Sequence, residues 1–455
     1  MTGRKPFVRE LTSVPSRSGA LAALANWPNV LLLESVLQRG ELGRYSFLMA
    51  NPVHTFVCQT PVYGADPFRE IRDQMAERRV ETIPDLPPFQ GGVAGLLSYE
   101  LGGCFERLPL PEQVDGKIPS LFAGLYEWVL AWDHGENRCW LMSTAKTERA
   151  ARAQYRQVTA ALDTICDGPS FPLVPEEFVP IRSNFRPEEY ISAVQRVIEY
   201  IRAGDIFQAN LSQRFQTRTA RTPVEQYLSL RHHNAAPFAG FLNHEDWSVI
   251  SSSPERFLQV RNREVITRPI KGTRQRRNVP EADLYTRDEL RESEKDRAEN
   301  VMIVDLLRND LSRVCRMGSI RVPELCVIEA YETVTHLVSE VRGELEEDAS
   351  FWDLLTVTFP GGSITGAPKI RAMEIITELE QITRGPYCGS LFYCGFDGTA
   401  DSSILIRTMR LIGDELAFSV GGGIVAQSHP RLEYEETLHK ASGMLRSLGQ
   451  VDISI

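Results

Sequence analysis

Asp296-Arg-Ala-Glu-Asn-Val-Met-Ile-Val-Asp-Leu-Leu-Arg-Asn-Asp310 lies in a segment that reads as one strong helix from Asp296 to Val314. Asp296 and Glu299 are three residues apart, so their carboxylates share a helix face. A second helix, Glu433 to Leu448, repeats the spacing at Glu433 and Glu436, with Lys440 one turn further on. Taken alone, such pairs are ordinary solvated helix faces. Two of them facing each other can hold a hard cation, because Mg²⁺ takes few carboxylates, several waters and an anionic ligand.

Upstream, Glu264-Val-Ile-Thr267 reads as a strand and runs into Arg268-Pro-Ile-Lys-Gly-Thr273. Lys271 sits between a turn-forming Pro and Gly272, which has no Cβ and admits close approach of another group. A lysine there is either a solvated surface cation, a point charge for an anion, or a nucleophile. Ser253-Pro-Glu255-Arg-Phe257 lies just before it.

Two glycine-rich stretches follow. Phe418 to Ala426 contains Gly421-Gly422-Gly423 in a G-x-G-x-x-A pattern, but Pro430 follows and no helix opens at the glycines. The expectation is a turn whose amides bind a carboxylate rather than a dinucleotide site. Gly361-Gly362-Ser363-Ile-Thr365-Gly366-Ala-Pro-Lys369 lacks the Gly-Lys-Ser/Thr order of a phosphate loop. Pro368 suits the start of a helix from Lys369 to Leu379. Arg407, in Ile404-Leu-Ile-Arg-Thr408, is expected on an apolar strand, where a buried guanidinium needs an anionic partner.

The 455 residues suffice for a large core and one to three domains. Hydrophobic residues make up 42% and charged residues 24%, the composition of a soluble globular protein. A net charge of -10 argues against nucleic acid as the main partner. The 8 cysteines form no Cys-x-x-Cys pair, which points to reduced thiols in a cytoplasm rather than to zinc or a disulfide framework. Gly19–Ala25 reads as a short amphipathic helix rather than a signal peptide, and no apolar run reaches membrane-spanning length.

Short β-rich runs dominate the first part: Asn29–Leu33, Gly91–Leu97, Trp128–Trp132 and Cys139–Met142. A charged helix spans roughly Thr147 to Thr164, and Pro187 to Ala203 is a second, with Pro at its start and Glu188 and Glu189 in its first turn. The proline-rich stretch between them reads as a linker, giving an N-terminal region 1–165, a linker 166–185 and a catalytic region 186–455. The expected fold class is α/β of the α+β type, rich in antiparallel sheet, with two intertwined halves.

These motifs together resemble the chorismate-utilising enzymes. The resemblance is dense from about Arg186 to Leu448 and thin before Leu31. It implies an anthranilate-synthase-like fold, large mixed or antiparallel sheets forming a sandwich flanked by helices, acting on chorismate with Mg²⁺. By resemblance Glu299 and Glu436 are direct metal ligands, with Asp296 and Glu433 behind them or acting through water. Ser363 approaches the ring, and His336 is an active-site contact. Gly421, Gly422 and Gly423 bind a carboxylate. Arg407 takes a substrate carboxylate, Tyr387 donates to the same group, and Lys440 adds charge near the second carboxylate. Anthranilate synthases carry a small residue where Lys271 stands. The lysine therefore implies the branch that aminates chorismate at C4, with Lys271 as covalent nucleophile and Glu255 as general acid. Anthranilate synthesis is the alternative reading, and a non-catalytic regulatory partner a third. The chain shows no glutaminase motif of its own, which implies a separate glutamine amidotransferase subunit as ammonia source. Finally, Ser35, Arg44, Tyr45, Ser46, Phe47, Pro237, Phe238 and Ala239 resemble the family's tryptophan pocket.

Overall fold

The apolar run at Val30–Glu34 is a strand buried on both faces. Val30 and Leu32 point to one hydrophobic cluster, Leu31 and Leu33 to another. A strand with two buried faces reads as a continuous apolar run rather than an alternating one. Trp128–Asp133 follows the same rule: Trp128, Leu130 and Trp132 face one cluster, Val129 and Ala131 the other.

These strands belong to one of two large sheets in the computed structural model, which describes residues 4–37, 43–78, 80–165, 180–276, 280–330 and 334–450. Among the described residues the first sheet has 12 strands and the second 10, and the paired strands run antiparallel. The first sheet places Val30–Glu34 beside Phe238–Asn243, and the second places Gly92–Leu97 beside Ser390–Gly395. Each sheet thus interleaves early and late parts of the chain, as the expected intertwining requires. Arg182–Ser183 forms a two-residue strand against Phe215 and Gln216, within the stretch expected to be an unstructured linker; residues 166–179 of it lie outside the described residues.

The sheets face each other across Leu31, Phe47, Met49 and Val129 on one side and Ala94, Leu96, Phe122 and Tyr393 on the other. Helices cover the outer faces. Glu294–Leu311 and Phe351–Thr358 pack on the second sheet, and Pro430–Ser447 packs on the first. Pro187–Ala203 and Lys369–Glu380 close over Gln208–Arg218.

Local sequence explains where the two acidic helices begin. Ser293 caps the first, accepting from the Asp296 amide at 3.3 Å, so the helix starts at Glu294 and Asp296 lies in its first turn. Pro430 opens the second, one turn ahead of Glu433. In each helix the first carboxylate of the pair, Asp296 or Glu433, lies in the first turn, near the positive end of the helix dipole.

Candidate active site

Lys271 lies on the strand Ile270–Gln275, opposite Leu337 of Val334–Glu344. The pairing shifts register between Lys271 and Thr273, at Gly272. Gly272 has φ +65°, the left-handed bulge conformation that only glycine adopts without strain. A Cβ there would lie 3.0 Å from Asp296 Cγ, so the bulge brings this strand against the first acidic helix.

Lys271 Nζ donates to the Ser363 carbonyl at 3.0 Å, and Ser363 Oγ donates to Glu255 Oε1 at 3.0 Å. The three expected centres of chemistry are therefore contiguous. Burial pushes the Glu255 carboxyl up to about 7, against the opposing pull of Lys271 and Ser363. Burial likewise lowers the Lys271 ammonium, against the pull of Glu299 and Glu255. Burial thus disfavours the charged form of both groups, the carboxylate of Glu255 and the ammonium of Lys271.

Glu299 is buried, 9% exposed, and burial raises its carboxyl. Among the described residues it takes no hydrogen bond or ion pair. The other three acids have cationic partners, and for Asp296 and Glu433 the spacing did not reveal them. Arg274 binds Asp296 at 3.1 Å, Lys295 binds Glu433 at 3.1 Å, and Lys440 binds Glu436 at 2.7 Å. Glu436 and Lys440 are exposed, 48% and 43% by side chain, and mark the open end of the site.

The glycine run corrects one expectation. Gly421, Gly422 and Gly423 lie not in a turn but in the long strand Glu415–Ile424, paired with Ser212, Leu211 and Asn210. Their lack of a side chain serves close approach. A Cβ at Gly422 would lie 3.5 Å from Glu436 Oε1 and 3.4 Å from Glu433 Oε2. One at Gly423 would lie 3.5 Å from Glu299 Oε2. The strand thus runs beneath both acidic pairs and brings Glu299 and Glu436 to one place. Lys440 Nζ also donates to the Gly421 carbonyl at 3.0 Å.

Arg407 corrects another. It sits at a bend with φ +52° just before the strand Thr408–Ile412, not on an apolar strand. Burial lowers its pKa, and its Nη1 donates to Asn234 Oδ1 at 3.4 Å. His336, opposite Thr273, is held neutral, its pKa brought down to about 3 by burial and then by Arg407. Arg407 therefore faces His336. Tyr387 is buried beside Arg384 and Cys388 instead of beside Arg407.

Sequence reasoning missed Gln208. It is fully buried, neither atom of its side-chain amide has a partner, and its Nε2 lies 2.3 Å from where a Gly423 Cβ would be. A buried amide with its hydrogen bonds unmade beside Gly423 leaves donors and an acceptor open to a polar group. Its only sequence signal was a glutamine at the head of an apolar strand, which does not distinguish it from a structural one.

Away from this site, Ser35, Arg44, Tyr45, Phe47, Pro237, Phe238 and Ala239 line one cavity of about 220 Å³, as the resemblance implies. Ser46 does not line it. Alternation along Tyr45–Met49 turns its hydroxyl the other way, to His134 Nε2 at 2.7 Å and the Ser35 amide at 3.1 Å.

The family profile described as chorismate binding enzyme matches residues 29–446, and the chain belongs to that enzyme family. It is 39% identical to aminodeoxychorismate synthase component 1 of Klebsiella aerogenes, over 96% of this chain and 98% of that protein. It is 38% identical to anthranilate synthase component 1 of Thermus thermophilus, over 99% of this chain and 98% of that protein. Its fold is that of anthranilate synthase component I from Streptococcus pneumoniae, with TM-score 0.79 and 30% identity over 90% of this chain and 93% of that one.

Proposed function

We propose that this chorismate-utilising enzyme aminates chorismate at ring C4, giving 4-amino-4-deoxychorismate, the precursor of para-aminobenzoate in folate synthesis. Overall identity is nearly equal to relatives of both named activities, so the choice rests on one contact: Lys271, hydrogen-bonded to Ser363 and through it to Glu255.

Amination at C4 with retention takes two displacements. Neutral Lys271 attacks C2, forming an N–C bond, while the C4–O bond breaks and the oxygen leaves as water with the Glu255 proton. Ammonia then attacks C4 and expels the lysine, and Glu255 recovers a proton from the new ammonium group. Arg407 and Gln208 hold and orient the substrate's polar groups, and neutral His336 can donate or accept a hydrogen bond without adding charge.

Mg²⁺ fits the donors present. No three His, Cys, Asp or Glu side chains among the described residues form a metal cage by themselves. Two carboxylates, Glu299 and Glu436, meet at Gly422–Gly423, and Glu299 takes no hydrogen bond or ion pair among the described residues. Mg²⁺ takes such sparse protein ligation, completed by waters and a substrate oxygen. Bound there, it supplies positive charge to a substrate carboxylate.

The pKa directions fix a pH profile. Glu255 acts protonated, and its carboxyl stands at about 7, so adduct formation falls as pH rises past that value. Lys271 acts neutral, and its lowered pKa makes the rate climb with pH on the acid side. Single-turnover adduct formation measured by rapid quench is bell-shaped in pH, with one limb set by Glu255 and the other by Lys271. A rate that keeps climbing into alkaline solution contradicts the assignment of Glu255.

The ammonia source is a separate glutamine amidotransferase, as the "component 1" of the relatives' names supports. Purified chain with chorismate, Mg²⁺ and ammonium yields aminodeoxychorismate, and with glutamine in place of ammonium it yields none. Anthranilate as the product supports the alternative, and glutamine consumption by the chain alone overturns the need for a partner. No helix among the described residues is long and apolar enough to cross a membrane, and the free cysteines suit the reducing cytoplasm where we place the enzyme.

A further inference from the structure

Ser363, which accepts from Lys271 and donates to Glu255, lies in the short turn Gly362–Ile364. The chain leaves that turn through the helix Lys369–Glu380, reverses at Gln381 with φ +59°, and comes back to it at Arg384. Arg384 is 4% exposed. Its Nη1 donates to the Ile364 carbonyl at 3.0 Å, and its Nη2 to the Asn210 carbonyl at 2.6 Å. The same side chain grips Glu380, with Nε donating to Oε2 at 2.9 Å and Nη2 to Oε1 at 2.6 Å.

Neighbouring groups fix this pair in turn. Glu380 Oε1 accepts from the amide and the hydroxyl of Ser212, each at 2.8 Å. Glu100 accepts the Arg384 amide at 2.6 Å and the Gly385 amide at 3.0 Å. The guanidinium carbon lies 4.7 Å from the centre of the Tyr99 ring and 5.7 Å from that of Tyr387. On the other side of the turn, the Asn210 amide donates to the Thr365 carbonyl at 2.7 Å. The carbonyls of the two residues after Ser363 are therefore both tied down.

We infer that Arg384, paired with Glu380, is a positioning residue for the reaction: it fixes the Ile364 carbonyl and so places Ser363 within reach of both Lys271 and Glu255. The role rests on the proposed use of Lys271 and Glu255. Arg384 acts through backbone and through Ser363, not on the reacting atoms. A planar guanidinium that serves one carboxylate and two carbonyls has a single orientation, and it passes that orientation to the turn. A lysine in its place keeps the charge but presents its three donors from one nitrogen, and it cannot serve Glu380 and both carbonyls in one plane. Tyr387, expected to meet a substrate carboxylate, instead backs this guanidinium.

The test measures chorismate consumption by whole-enzyme variants with Mg²⁺ and saturating ammonium, after thermal melts establish that each is folded. Arg384→Lys is expected to lower kcat about tenfold to a hundredfold, the loss that a displaced catalytic group brings, with KM for chorismate within about threefold of wild type. Glu380→Gln combined with Arg384→Met removes the clamp, leaves no unpaired buried charge and keeps an oxygen for Ser212. It is expected to show the same loss, and it carries the test if Arg384→Lys does not fold. In a Ser363→Ala background the further loss from Arg384→Lys shrinks, because both changes act through one residue. Wild-type kcat in a folded clamp variant overturns the proposal, as does a rise in KM without a loss in kcat. Losses that multiply in full with Ser363→Ala overturn the path through Ser363. Consumption is counted whatever the product, so anthranilate as the product would sink the C4 reading and leave this one standing.

Discussion

Lys271→Ala is expected to lower aminodeoxychorismate formation by about 10³-fold or more, the size of loss seen when a covalent nucleophile is removed. The loss is expected on kcat, because the substrate contacts proposed for Arg407 and Gln208 are left in place. The fold survives, since Lys271 hydrogen-bonds only the Ser363 carbonyl and makes no structural ion pair in the described residues. The variant also recreates the small residue of anthranilate synthases, so slow amination at C2 is the expected residual product. Steady-state kinetics with product identification by chromatography and mass checks both. Wild-type output from Lys271→Ala reduces the lysine to a charge that orients the ring.

Glu299→Gln and Glu436→Gln are each expected to lower Mg²⁺-supported turnover by more than about 100-fold, with the apparent Mg²⁺ affinity falling alongside. The two differ in stability. Burial raises the Glu299 carboxyl, so the folded state holds its proton more tightly than the unfolded chain. The charged form therefore costs stability as pH rises out of the ordinary carboxylate range. Glu299→Gln removes that cost, and its Tm at neutral pH without Mg²⁺ stays level or rises. Glu436 is drawn down by Lys440 and lies at the open end, so its replacement removes a screened, exposed pair and moves Tm little. Calorimetric Mg²⁺ titration beside thermal melts separates lost metal from lost fold. Full activity in either variant sinks the metal assignment.

The helices were legible because their signals are local. Pro187 and the acids after it fixed the start of Pro187–Ala203, and its apolar stripe Tyr190, Val194, Val197 and Ile198 is buried. The strand runs were legible as apolar stretches, but not their order, since the pairing of Val30–Glu34 with Phe238–Asn243 spans most of the chain. The site divided in the same way. The structure brings Lys271, Ser363 and Glu255, which the resemblance singles out, into one hydrogen-bonded chain. Gly421–Gly423 read in sequence as a carboxylate-binding turn, and only three dimensions show the strand and the carboxylates that need the space. Ser46 was counted with its neighbours because a motif does not register alternation. Lys295 and Arg274 went unread because ion pairing between separate elements leaves no spacing in the sequence.

The covalent role of Lys271 is tested most directly by intact-mass measurement of enzyme mixed with chorismate and Mg²⁺ in the absence of ammonia. The first displacement then proceeds and the second has no nucleophile. The account predicts protein heavier by chorismate less one water, localised by peptide mapping to the segment holding Lys271 and missing in Lys271→Ala. Unmodified wild-type protein, under conditions where added ammonium gives full turnover, contradicts it.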